Sequence, residues 1–175
     1  SRVVRMAKVL ITDKIHEEGI KILQQFAEVE IATGLEREQL LQRVKDAEVL
    51  VVRSSTQVTK DVIEAGKKLR IIARVGVGLD NIDVEAAKKQ KITVVNAPEA
   101  PTTAVAELTL GLMLAFVRHI PRADRGVKEG MWEKKELVGT ELRGKTLGVI
   151  GTGRIGQAVA ERAKSFGMNL LFYDS

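Results

Sequence analysis

Five short runs rich in β-branched residues recur through the first half of the chain: KVLIT from Lys8, VEIAT from Val29, VLVVR from Val49, RIIAR from Arg70 and ITVV from Ile92. Runs that are apolar on both faces predict strands buried on both sides, not the surface strands of an open antiparallel sheet. The segments between them carry helical spacing. The first sets Ile15, Ile20, Ile22, Leu23 and Phe26 largely on one side, and the second does the same with Leu40, Leu41 and Val44. Strand and helix therefore alternate, and parallel neighbours need crossover helices, so the pattern predicts an α/β chain with a parallel sheet covered on both faces.

Five strands by Val95 predict a flavodoxin-like unit. In NAPEAPTT (Asn96–Thr103) two of the three prolines fall close together and the strand pattern stops, which predicts a linker. The expected division is residues 1–98 and 99–175. The second part opens on a long apolar helix from Thr102 or Thr103 to His119, with Thr as N-cap and Pro121 just past its end. A polar stretch holding Gly130, Trp132 and Gly139 follows. A strand Thr146–Ile150, a helix from about Arg154 to Phe166 and a strand Asn169–Tyr173 complete the pattern, the beginning of a second, Rossmann-like sheet that is left incomplete.

Composition removes several classes. The 175 residues carry 28 Lys and Arg against 23 Asp and Glu, a net charge of +5, but the two signs alternate and aromatics make up only 3%. No basic face with stacking aromatics emerges, so nucleic acid is not an expected partner. With no cysteine there is no disulfide, thiolate metal site or cysteine nucleophile, which fits a reducing compartment. The longest apolar stretch, Leu108–Val117, is far short of the roughly 18 residues of a membrane span. No secretory h-region is visible, so a cytoplasmic location is expected and Ser1–Arg5 reads as an extension ahead of a natural Met6. Abundant Lys and Glu with few Asn and Gln suggest a heat-adapted source.

The most informative segment is KTLGVIGTGRIGQAVAERAKSFGMNLLFYDS. Gly151, Gly153 and Gly156 form GxGxxG between a strand and a helix, and Asp174 stands 18 positions after Gly156 at the end of the next strand. Gly151 suits a tight turn, Gly153 close approach of a pyrophosphate, and Gly156 close packing of helix on strand, with the helix N-terminus facing the phosphates. The Asp174 carboxylate suits ribose hydroxyls and repels a 2′-phosphate, which predicts NAD over NADP. Arg154 and Ile155 lie inside the motif, beside the expected pyrophosphate.

Two strands of the first sheet end on arginine, VVRSS at Arg53, Ser54 and Ser55, and IIARVGVGLDN at Arg74. Carboxyl ends of parallel strands border the ligand crevice, so both guanidiniums are candidates for an anionic group, with Gly76 and Gly78 as backbone donors. Solvated strand-end charge and a turn-capping Ser54 are the plainer alternatives. His16 on the exposed side of the first helix and His119 at the end of the long helix are expected to be structural, and no metal-ligand spacing occurs. Trp132 is read either as a satellite core contact or as an anchor on a partner subunit.

VVRSSTQVT, ARVGVGLDNID, VVNAPEA with AELTLGLML, RHIPRA, GMWEKKELVGTELRGKTLGVIGTGRIGQ and FGMNLLFYD together resemble the NAD-dependent D-2-hydroxyacid dehydrogenases, and GTEL with GxW upstream is closest to the branch acting on 3-phosphoglycerate. The resemblance implies a substrate domain over 1–98, the start of an NAD-binding Rossmann domain over 99–175 and a cleft between them. It implies oxidation of 3-phosphoglycerate, with Arg53, Ser54 and Arg74 on its anionic groups, Gly76 and Gly78 donating to its carboxylate, Val77 on the nicotinamide side, Arg154 and Ile155 flanking the pyrophosphate and Asp174 on the ribose. Pro101, Thr102, Thr103 and AVAE replace the family's Asn, small polar residue and SVAE, so no Asn contact transfers.

The family's catalytic Arg, Glu and His have no counterpart here, so no catalytic residue is assigned and the chain is expected to be an inactive first half of a longer subunit. A glyoxylate or hydroxypyruvate reductase and a non-catalytic NAD(H)-sensing scaffold are the alternatives. The long helix and the Trp132 stretch suggest a homodimer or higher homo-oligomer burying Leu108, Leu112 and Phe116.

Overall fold

A computed structural model describes residues 6–175; Ser1–Arg5, and with them the expected upstream extension, lie outside the described residues. The described chain divides into two compact units between Ala100 and Pro101.

In the first unit, strands β1 (Ala7–Ile11), β2 (Ala27–Ile31), β3 (Val49–Val52), β4 (Ile71–Arg74) and β5 (Thr93–Asn96) form one sheet in the order β2-β1-β3-β4-β5. All neighbours are parallel. Helices α1 (Glu17–Gln24), α2 (Arg37–Arg43), α3 (Lys60–Ala65) and α4 (Val84–Lys89) make the crossovers, with a short 3-10 turn at Val44–Asp46.

One face of this sheet, with Leu10, Leu50, Val52 and Ile72, packs on Leu40, Val44, Val62, Ile63 and Ala87. Each of these strand residues contributes about 1.5–3 kcal/mol when fully buried. A slip of one residue would turn all four to the other face, so burial fixes the register.

The other face is covered less completely than the strand pattern predicts. Val9, Ile11, Ala27 and Val51 pack on Ile15, Ile20 and Leu23, while Ile71 and Val95 at the far end stay exposed. Helix α1 is two turns long and cannot span five strands. Ile22 and Phe26, expected on its buried side, are also exposed; Phe26 lies past the end of the helix. His16 is not inside that helix; it is the N-cap, and its Nδ1 accepts from the Glu18 N–H at 3.2 Å.

In the second unit, α5 (Thr102–Val117) starts one residue earlier than a Thr cap would place it: Pro101 occupies the N-cap position and Thr102 is already helical. The polar stretch after it holds a further helix, α6 (Ile120–Lys128). Pro121 sits in the first turn of α6, where its missing N–H costs nothing, so it begins a helix as well as following one. His119, at φ 55°, makes the break, and the two axes differ by 64°. Among the described residues no single helix is long and apolar enough to cross a membrane.

Strands β6 (Thr146–Ile150) and β7 (Asn169–Tyr173) pair in parallel around α7 (Arg154–Ser165). Leu147 and Leu170 face α5 and α7, packing with Ala106, Leu110, Val159 and Ala163. The alternate positions, Ile150, Leu171 and Tyr173, point away and are 87%, 66% and 66% exposed. A two-stranded sheet thus has one face covered and one open.

Candidate dinucleotide and anion sites

The turn after β6 is built from three glycines that do three different things. Gly151 adopts φ 90°, a left-handed conformation costly for any side chain, and its N–H donates to the Tyr173 carbonyl at 2.8 Å. Gly156 lies so close to this turn that a β-carbon there would be 2.1 Å from the Gly151 carbonyl oxygen. Gly153, the N-cap of α7, has ordinary φ and open space around the position of a β-carbon. The fold itself therefore requires Gly151 and Gly156. Nothing in the fold requires Gly153; its bareness leaves the N-terminus of a 12-residue helix open to an approaching anion.

Asp174, just past β7, meets this turn. Its Oδ2 accepts from the Thr152 backbone N–H at 2.8 Å and from the Thr152 hydroxyl, and its Oδ1 accepts from the Ser175 N–H at 3.0 Å. These donors, Thr152 foremost, hold the carboxyl below the ordinary aspartate range, so it is ionised at neutral pH. Gln157 reaches back from α7 to the Thr152 carbonyl at 2.7 Å, bracing the same residue. Arg154 and Ile155 form the first turn of α7, with Ile155 partly exposed.

In the first unit Arg74 ends β4 in register with Val52, and Arg53 follows directly on the adjacent strand. The two arginines thus leave neighbouring strands at the carboxyl edge. The Arg74 guanidinium folds over its own loop, with Nη1 occupying the space of a Gly76 β-carbon. Among the described residues its buried Nε has no hydrogen-bond partner, a charged donor that lacks an acceptor.

Gly76 itself is less available than the sequence suggests, for its N–H donates to the Arg74 carbonyl at 2.9 Å. Its carbonyl accepts from Ala97 N–H at 2.8 Å, and the Asn96 side chain donates to the Val77 carbonyl at 2.6 Å, so β5 holds the Gly76–Val77 loop. Gly78 leaves room for Asp80, whose Oδ1 lies where a β-carbon would intrude.

Two buried polar residues pin the Arg53 loop, and the sequence reading passed over both. Asp13 Oδ2 accepts from the backbone N–H groups of Arg53 (2.6 Å) and Thr56 (3.1 Å), and Oδ1 accepts from the Thr56 hydroxyl at 2.8 Å. Asn81 Nδ2 donates to the carbonyls of the same two residues, each at 2.7 Å. All four backbone groups of Arg53 and Thr56 are therefore held, which leaves Ser54 and Ser55 exposed between them. A cavity of about 310 Å³ beside this loop is lined by Thr12, Asp13, Arg37, Ser55 and Gln57. Its lining comes from the loops that follow β1 and β3, the strands at which the sheet order reverses, and from Gly34, Leu35, Arg37 and Leu40 after β2.

Neither histidine joins these groups, and among the described residues no cluster of three potential metal ligands occurs.

The family model for D-isomer specific 2-hydroxyacid dehydrogenase, catalytic domain, matches residues 9–170. The chain belongs to this family.

This dehydrogenase-family chain is 61% identical over 169 residues to D-3-phosphoglycerate dehydrogenase of Methanocaldococcus jannaschii, covering 97% of its own length and 32% of the relative. It is 53% identical over 168 residues to hydroxypyruvate reductase of Thermotoga maritima, covering 95% of itself and 55% of that protein. Among solved structures it resembles an NAD+-bound 3-phosphoglycerate dehydrogenase from Entamoeba histolytica, with a TM-score of 0.76, 35% identity and coverage of 98% and 54% of the two chains. The family chain thus spans about a third of the first relative's length and little more than half of the other two.

Proposed function

We propose that the chain supplies the substrate-holding unit and the first part of the NAD-holding unit of an oxidoreductase that converts the C2 hydroxyl of 3-phosphoglycerate to a carbonyl. The observation that carries this reading is the Gly151–Gly156 turn with Asp174 anchored beside it. The residues fit a dinucleotide: a bare Gly153 at the start of α7 for the pyrophosphate, Arg154 and Ile155 alongside it, and an ionised Asp174 for the adenosine ribose. NAD, when bound, supplies the acceptor for the hydride leaving C2.

Arg53, Ser54 and Arg74 hold the substrate's carboxylate and phosphate in this reading, and the unpartnered Arg74 Nε gains the acceptor it lacks. Gly78 adds backbone donation, Gly76 does so once its N–H leaves the Arg74 carbonyl, and Val77 supplies apolar cover for the nicotinamide. Fixed positive charge at the strand ends orients the anion and prepares the site for charge on the developing carbonyl oxygen. The proton released from the hydroxyl needs a base, which we assign to none of these residues.

The exposed stripe of Leu108, Leu112 and Phe116 on α5, with Trp132 80% exposed, supports a homodimer, since Trp132 is not the core contact that was the plainer alternative. The cytoplasm is the proposed location.

A turnover assay on the complete subunit with NAD and 3-phosphoglycerate, read by nicotinamide absorbance, tests the reading; reduction with 3-phosphoglycerate supports it and its absence overturns it. The similarity to hydroxypyruvate reductase favours one second reading, reduction of hydroxypyruvate or glyoxylate on the same scaffold. Competition of 3-phosphoglycerate against glycolate separates the two, because only a phosphate-reading site prefers the former. Nucleotide-dependent association without turnover of any hydroxy acid would point instead to a sensing scaffold.

A further inference from the structure

We propose that Thr152, which stands between the first two glycines of the turn, determines dinucleotide specificity by fixing which Asp174 oxygen meets the sugar and by preventing that carboxylate from turning aside. The inference rests on the NAD reading above and concerns a side chain which that reading leaves without a role.

Thr152 gives Asp174 two donors, its backbone N–H and its hydroxyl, and both go to Oδ2. A carboxylate oxygen has two lone-pair directions, so Oδ2 is filled. Among the described residues Oδ1 accepts the Ser175 N–H alone, which leaves one direction open. The sugar hydroxyl is therefore received at Oδ1.

A dinucleotide carrying a 2′-phosphate can be admitted next to an aspartate in two ways: the carboxylate takes up a proton or it rotates away from the phosphate. The two donors oppose both, since each favours the charged form and each ties Oδ2 to the turn. The backbone donor belongs to any residue at 152. The hydroxyl is specific to Thr or Ser, and Gln157, by holding the Thr152 carbonyl at 2.7 Å, keeps the residue in place to use it.

The test is calorimetric titration of the complete subunit with NAD and with NADP, for the unaltered protein and for Thr152→Val, Thr152→Ser and Asp174→Ala. Val matches Thr in shape and residue 152 is only partly buried, so the turn is kept. The preference for NAD is expected to fall roughly fivefold to tenfold in Thr152→Val, mainly through tighter NADP binding, about the net value of one ordinary hydrogen bond at an exposed site. Thr152→Ser is expected to retain it and Asp174→Ala to abolish it. An unchanged preference in Thr152→Val alongside a lost one in Asp174→Ala overturns the role of Thr152 alone. An unchanged preference in Asp174→Ala, or no binding of either dinucleotide to the unaltered protein, overturns the ribose or cofactor reading and this proposal with it.

Discussion

A β-carbon on residue 156 would lie 2.1 Å from the carbonyl oxygen of Gly151, so these two glycines are in backbone contact across the turn that joins β6 to α7. Gly156→Ala forces that contact apart and is expected to destabilise the second unit by about 1–3 kcal/mol, the usual cost of overpacking. Gly153→Ala meets open space at an allowed φ and is expected to leave stability within about 0.5 kcal/mol while weakening NAD binding at least tenfold. Urea unfolding and calorimetry on the two variants check the pair. Equal losses of stability would mean that Gly153 serves the fold and not a ligand.

Removing the amide of Asn81 leaves the Arg53 and Thr56 carbonyls without their shared donor. Asn81→Ala is expected to cost about 1–3 kcal/mol by denaturant unfolding, and to speed hydrogen exchange at the Arg53 and Thr56 amides, whose acceptor Asp13 then holds a looser loop. Exchange at the β1 amides should be unaffected except through the change in global stability.

These two residues mark the limit of what the sequence reveals. The strands were legible because β-branched runs apolar on both faces have few other uses, and β7 falls on the expected Asn169–Tyr173. The glycine turn was legible because its spacing, flanking strand and terminal acid are contiguous. Asp13 and Asn81 act across 40 and 28 positions of sequence, so their partners become visible only once β1, β3 and β4 are side by side. Helix α6 was hidden by Pro121, which reads equally as a stop and as a first-turn residue, and Phe26 was misplaced because helical spacing does not say where a short helix ends.

The Asp174 carboxyl sits below its ordinary value, chiefly through Thr152. A group with a depressed folded value adds stability above its unfolded value and loses it as pH falls through the folded one. Carboxyl-detected NMR titration should therefore find Asp174 protonating at lower pH than an unperturbed aspartate, with Thr152→Val moving the midpoint upward. A midpoint at the ordinary position in the unaltered protein would contradict the two Thr152 donors.

Leu108, Leu112 and Phe116 stand 62%, 62% and 81% exposed on one side of α5. Phe116→Asp is expected to shift the complete subunit from dimer toward monomer in sedimentation, without loss of helical signal, because the side chain already faces away from the core of its own unit. An unaltered protein that remains monomeric at high concentration would remove the dimer.

Calorimetric titration of the folded complete subunit with NAD addresses the central claim most directly. A single saturable site per chain is expected, at least tenfold weaker in Gly153→Ala. No heat and no protection of the unaltered protein at saturating NAD would contradict the assignment of the β6–α7 turn and Asp174 to a dinucleotide.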